Sequence, residues 1–266
     1  MDKKYTKNYS LSKEEMNGMS KRFSYATTTD KCSKIFESSS TADDVYTHND
    51  KELDDKTNDE QRKTNDACQS CKPSIICLST DEQFKCAFRK CREVFYDKLL
   101  DYGASWRIMR PQSVTDQIYI KANRIRSIEE SNGVTMVNEG VLPEFIGIVN
   151  YGIIGLIQLV RGYSKDGTDM STKEVLDLYE KYATISFELM QKKNHDYDEA
   201  WRMMRSCSYT DLILMKICRT KSIESNNGKT KVSEGIDANY LDMINYAIFG
   251  IIKLLEEEES VNDEKK

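Results

Sequence analysis

Apolar residues recur at helical spacing through the last two thirds of the chain. Phe84, Phe88, Cys91, Phe95 and Leu99 fall at i, i+4, i+7, i+11 and i+15, which predicts a helix starting near Glu82. Val175, Leu178, Tyr179, Tyr182, Ser186, Leu189 and Met190 trace the same kind of face. It follows Ser171-Thr-Lys-Glu174, a capping-box sequence. A second helix is expected from Ser113-x-x-Asp116, read as its capped start, with Ile118, Ala122 and Ile125 on one face. A third begins at Pro143, a residue suited to the first helical position, and runs to about Val160. Asn132-Gly133 marks a turn between the second and third helices, with room for a short hairpin through Val134–Val137.

These elements occur twice. Lys98-x-x-Asp101-Tyr102-x-x-x-Trp106-Arg107-x-Met109-Arg110-x-x-Ser113-x-Thr115-Asp116-x-Ile118-x-x-Lys121-x-x-Arg124 returns 95 positions later. The second copy runs from Lys193 through Asp196-Tyr197, Trp201-Arg202, Met204-Arg205, Ser208, Thr210-Asp211, Ile213 and Lys216 to Arg219. Ser127-Ile128-Glu129, Glu139-Gly140 and Asn150-Tyr151 recur in the same register. Between Lys98 and Gly155, 26 of 58 positions are identical without a gap. Such a tandem pair is a duplicated structural unit. The prediction is all-α: a pseudo-symmetric helical bundle of two three-helix repeats, 82–162 and 163–257, whose third helices pack on each other.

The stretch Phe145–Val160 is apolar almost all round. It is shorter than the roughly 20 residues of a membrane span. Its copy, Tyr240–Leu255, carries Asp242, Asn245 and Lys253. Both fit a buried central helix, so no membrane partner is expected.

The first 80 residues have a different character. They hold 13 basic and 14 acidic residues and only nine strong core formers. Too little apolar surface is present to offset about 1–2 kcal/mol of backbone entropy per ordered residue. Residues 1–81 therefore read as a disordered tail, a place for a protein partner to dock, and 258–266 as a second, charged tail. The start shows no apolar leader, so a cytoplasmic location is expected. The eight cysteines then read as reduced thiols. Cys68-x-x-Cys71 lacks a second such pair, and Cys86 and Cys91, five apart on a helix, do not share a face. Zinc is not favoured. The whole chain of 266 residues has a net charge of −5 and a mean hydropathy of −0.64. It has no global basic footprint for bulk nucleic-acid binding.

Repeated charges carry the candidate chemistry. Arg107, Arg110, Lys121 and Arg124, with Arg202, Arg205, Lys216 and Arg219, are cations suited to phosphate. Trp106, Trp201, Tyr102 and Tyr197 offer faces on which a base could stack. Asp101, Asp116 and Glu139, with Asp196, Asp211, Glu234 and Asp242, would orient those cations or hold a metal. The competing reading is that these charges tie helices together and the tryptophans fill the core.

At Asp-Tyr-x-x-x-Trp-Arg-x-Met-Arg, then Thr-Asp-x-Ile-x-x-Lys-x-x-Arg and Glu-Gly…Asn-Tyr, the chain resembles the nucleotide modification associated domain type 1 family. The resemblance covers roughly 84–255. It implies a helical domain linked to the handling of nucleotides or modified DNA bases, with a nucleotide or other phosphate-bearing ligand. All-α nucleoside triphosphate pyrophosphohydrolases are a neighbouring idea; they hold Mg²⁺ on Glu-x-x-Glu and Glu-x-x-Asp motifs. Within the repeated motifs Glu-x-x-Glu is absent. The later motif is split between Glu144-Phe-Ile-Gly147 and Asn239-Tyr-Leu-Asp242. A composite Mg²⁺ site would need Glu139, Glu144, Glu234 and Asp242. No P-loop, Gly-x-Ser-x-Gly or dinucleotide motif occurs. The runner-up function is a non-enzymatic interaction module.

Overall fold

The structure is a computed structural model that describes residues 74–131, 133–136 and 139–263. Among these residues there are six α-helices and no strands. We label them α1 (Thr80–Tyr102), α2 (Pro111–Glu130), α3 (Leu142–Arg161), α4 (Thr172–Tyr197), α5 (Ser206–Ser225) and α6 (Ile236–Asp263). Helices α1–α3 form repeat one and α4–α6 repeat two. The expected tandem all-α architecture is present, and no hairpin forms among the described residues of either turn.

Local chemistry sets the helix starts. Ser79 and Glu82 close a capping box on α1, and Ser171 and Glu174 close one on α4. Helix α2 starts earlier than expected. Arg110 is its N-cap residue, without a side-chain cap bond, and Pro111 opens the helix. Ser113 therefore lies inside α2 and caps nothing. At its other end, Gly133 adopts φ +83° and its amide donates to the Ile128 carbonyl. Gly228 does the same after α5, with φ +75° and a bond to Ile223. That left-handed closure suits glycine and replaces the expected hairpin turn.

Helices α3 and α6 form the centre, antiparallel and packed on each other. Their contact is reciprocal. A Cβ on Gly155 would sit 2.6 Å from the Tyr240 ring, and one on Gly250 would sit 2.8 Å from the Phe145 ring. Positions 155 and 250 are equivalent in the repeat, as are 145 and 240. This is a two-fold-like contact within one chain. Helices α2 and α5 lie beside their own central helices and against each other, and α1 and α4 flank the centre. By length and composition α3 could cross a membrane, but 67 % of its apolar stretch is buried among the other helices.

Most of the expected tail, 1–81, lies outside the described residues, but its end belongs to the helical body. Ile75 is buried in a 3-10 turn, Ile75–Cys77. Glu259 of α6 receives the Ser74 hydroxyl at 2.6 Å and the Ile75 amide at 3.0 Å. Helix α6 itself runs to Asp263, through most of the expected second tail. Cys77, Cys86, Cys91, Cys207 and Cys218 are free thiols, and the other three lie outside the described residues.

The glycine contact gives a direct test. Alanine normally favours a helix interior over glycine by about 1 kcal/mol. Gly155→Ala is instead expected to lower stability by about 1–3 kcal/mol, because the Tyr240 ring is fully buried and cannot move aside. Gly140→Ala, with open space around it, should change stability little. Urea unfolding of both variants measures the difference.

Candidate functional site

The Trp-Arg motif forms a short 3-10 turn in each repeat, Ser105–Ile108 and Ala200–Met203. Trp106 and Trp201 are buried there, 8 % and 6 % exposed. Trp201 stacks on Phe249 with ring centroids 4.3 Å apart and nearly parallel, and the Arg202 guanidinium lies 4.4 Å from its centroid. The tryptophans are core residues and present no face to a base. Tyr102 and Tyr197 are exposed.

Arg107 is 1 % exposed and fully engaged. It meets the Asp169 carboxylate with two nitrogens, at 2.8 and 3.2 Å. Its third nitrogen donates to the Gly162 carbonyl at 2.7 Å and to Gln158. Gln158 in turn donates to the Met109 carbonyl at 2.5 Å and the Arg107 carbonyl at 3.1 Å. Arg107 thereby straps the inter-repeat linker onto repeat one. Arg202 plays the reciprocal part. It donates to Thr80 at 2.5 Å, Gln83 at 2.8 Å, Glu199 at 2.6 Å and Glu256 at 3.3 Å. It thereby holds the start of α1 against repeat two. Neither arginine is available for phosphate.

A second group of repeated charges crosses between repeats. Arg126 pairs with Asp211 at 2.5 Å, and Lys221, the counterpart of Arg126, pairs with Asp116 at 2.7 Å. The Thr115 hydroxyl donates to Glu224 at 2.7 Å, and Thr210 donates to Glu129 at 2.9 Å. The Tyr240 hydroxyl lies 2.7 Å from Thr115 and donates to it, since Thr115 has already given its proton to Glu224. Asp116 and Asp211, expected to orient ligand-binding cations, are rungs of an α2–α5 ladder. Asp101 is exposed, and Asp196, also exposed, lies 3.2 Å from the neighbouring His195.

The remaining cations gather at the seam between the second and third helices of each repeat. In repeat one, Lys121 and Arg124 both reach the buried Glu144, at 3.3 and 2.5 Å. Arg124 also takes the Glu139 carbonyl at 3.1 Å, and the Glu139 carboxylate lies 3.9 Å away. In repeat two the carboxylate sits one turn later. Lys216 meets Asp242 at 2.5 Å, and Lys193 of α4 takes its other oxygen. Burial works against charge on Lys193, but the field and hydrogen bond of Asp242 outweigh it and raise its pKa. Arg110, Arg205 and Arg219 are exposed and have no ion-pair or hydrogen-bond partner among the described residues.

The expected composite Mg²⁺ site does not form. No three acidic, histidine or cysteine side chains converge among the described residues. Glu144 and Asp242 are each held by cations of their own repeat, and Glu139 and Glu234 lie at exposed positions. These residues do not fit a metal held by three or more protein carboxylates.

A shallow cleft of about 230 Å³ lies in each repeat between the end of its second helix and the following loop. Arg124, Ser127, Ile128, Val134, Thr135 and Met136 line the first. The second is lined by Ser222, Ile223, Asn226, Lys229 and Lys231, among others; Arg219, the counterpart of Arg124, is not part of that lining.

Both repeats match the sequence family described as Nucleotide modification associated domain 1, over 98–159 and 193–254. The chain carries two tandem copies of this domain. The name associates the domain with nucleotide modification. No curated protein and no solved structure matches the chain. The matched segments take in the Trp-Arg turn, the second helix and most of the third.

Several residues that matter here were not singled out from sequence. Lys193 opens the repeated motif but its partner is remote. Glu129, Glu224 and Thr210 were matched as repeats without a role. Asp169 and Gln158 are not repeated at all, and no pattern marks them.

Two measurements test these assignments. Arg107→Met should cost about 3 kcal/mol, because it leaves the buried Gln158 oxygen unpaired and releases Asp169 and the Gly162 carbonyl of the linker. Arg126→Met, at an exposed pair, should cost under about 1 kcal/mol. The second test is pH. Burial raises the Glu129 and Glu224 pKa values above the usual carboxylate range, against the hydrogen bonds from Thr210 and Thr115. The folded state then binds protons more tightly than the unfolded chain. Their contribution is fully present below the ordinary glutamate pKa and is lost as pH rises through the raised values. Denaturation midpoints of the Glu129→Gln, Glu224→Gln double variant should lose that part of the pH dependence.

Proposed function

We propose that the tandem domains bind nucleotides through their phosphates and serve nucleotide modification as a binding module. One observation carries this reading. The second helix of both repeats directs a lysine at the same position, Lys121 or Lys216, onto a buried carboxylate. That carboxylate occupies different positions in the two copies, Glu144 in one and Asp242 in the other. The repeats share the cations and differ in what holds them. The shared feature is therefore the cation pair, the side-chain chemistry that meets a phosphate. The companion arginine of repeat two, Arg219, has no carboxylate partner among the described residues and supplies a planar fork suited to phosphate. The family name supports the nucleotide context.

Metal-assisted hydrolysis is less well supported, since the available carboxylates neutralise cations instead of converging. The alternative of a purely structural interaction module draws on the α2–α5 ladder and the Trp-Arg straps, which account for many of the repeated charges.

Thermal shift of the full chain with deoxynucleoside triphosphates separates these readings. Ligand at about 100 times its Kd should stabilise the protein by about 2.7 kcal/mol. The shift should be the same with and without Mg²⁺ and should shrink with added salt. No shift with any nucleotide would favour the interaction module. A Mg²⁺-dependent shift with pyrophosphate release would favour hydrolysis.

A further inference from the structure

The two seams are equivalent in position but not in chemistry. Where repeat one has Ile125, Glu144 and Gly147, repeat two has Thr220, Asn239 and Asp242. In repeat one the seam is closed on itself. The stem of Lys121 lies over Gly147 so tightly that a Cβ there would clash with Lys121 Cε. Glu144 pairs with both Lys121 and Arg124, and the Glu139 carboxylate adds a second negative charge 3.9 Å from Arg124. Ile125 is fully buried and apolar.

Repeat two leaves polar groups over. Asn239 is 1 % exposed; its amide nitrogen donates to the Gly235 carbonyl at 2.7 Å, but Oδ1 has no partner. The hydroxyl of Thr220, also fully buried, has none either. Four buried polar atoms lack partners among the described residues, and all four belong to repeat two. Helices α5 and α6 run antiparallel, and the Lys216–Asp242 pair sets their register. Thr220 lies one turn beyond Lys216 on α5, and Asn239 one turn before Asp242 on α6. A buried acceptor without a donor costs about 1–3 kcal/mol, so two such groups on one seam call for an occupant. Arg219 is the counterpart of Arg124. With Asn239 standing where Glu144 stands in repeat one, it has no carboxylate and lies exposed. The cleft of about 230 Å³ lined by Ser222, Ile223, Asn226 and Lys229 is formed by residues that follow Thr220 along α5 and into the next loop.

We propose that only the second seam is a ligand site, and that Asn239 decides it. This rests on the nucleotide-phosphate reading above. The ligand is a phosphate-bearing nucleotide. Arg219 meets its phosphate, and an N–H or O–H of the ligand donates to Asn239 Oδ1. Repeat one is the same seam with the site filled by its own glutamate.

Calorimetric titration of the full chain with dATP, dGTP, dCTP and dTTP tests this. One site per chain is expected. Asn239→Glu gives Arg219 the partner that Arg124 has, and should weaken binding at least ten-fold. Arg219→Gln changes an exposed, unpaired side chain, so the fold is kept, and it should weaken binding comparably. Arg124→Gln in repeat one should leave affinity within two-fold. Two sites per chain, equal losses from Arg124→Gln and Arg219→Gln, or binding indifferent to both repeat-two variants would overturn the one-site assignment alone. No binding by any of the four nucleotides would overturn the nucleotide reading and this assignment with it.

Discussion

The closeness of two central helices sets the geometry of the rest. At Gly155 and Gly250 the backbones of α3 and α6 come near enough that an added methyl group would enter an aromatic ring. Because each glycine faces the counterpart of the other's ring, the approach fixes a two-fold relation between the halves. Helices α2 and α5, each lying on its own central helix, are then brought side by side. Thr115 then meets Glu224, and Thr210 meets Glu129. Burial of the apolar centre supplies the drive, and the reciprocal polar contacts select one register among many that apolar surfaces would tolerate.

Much of this was legible in one dimension. The duplication, the three helices per repeat and the central place of the third helix follow from spacing and identity. The roles of the charges did not. A linear pattern marks which residues are shared, but not whether an arginine faces water. Arg107 is buried because Asp169, in an unrepeated linker, comes back to meet it. Asp116 finds Lys221 more than a hundred residues away, beyond any local spacing rule. Ser113 looked like a cap, but Pro111 had already fixed the backbone for the first turn. Ile75 disappeared into the low apolar average of its segment, although Glu259 and Gln83 bind its backbone.

The candidate seam illustrates a related limit. The split of the carboxylate motif was visible as a missing glutamate in one copy and a missing aspartate in the other. Its meaning needed side chains. A lysine reaches either position, so loss of one carboxylate and gain of another one turn away keep the helix pair joined. Three changed residues can thus leave the packing alike and alter which polar groups are left over.

The Trp-Arg turns carry a consequence for how the chain holds its shape. Arg107 grips the segment leading into α4, and Arg202 grips the segment leading into α1. Each half's entrance is therefore fastened to the other half. The covalent linker then acts less as a structural member than as a tether that keeps two mutually clasped partners at high effective concentration. Neither half can peel away while the other stays intact, so loss of structure in one should propagate to both as one cooperative event.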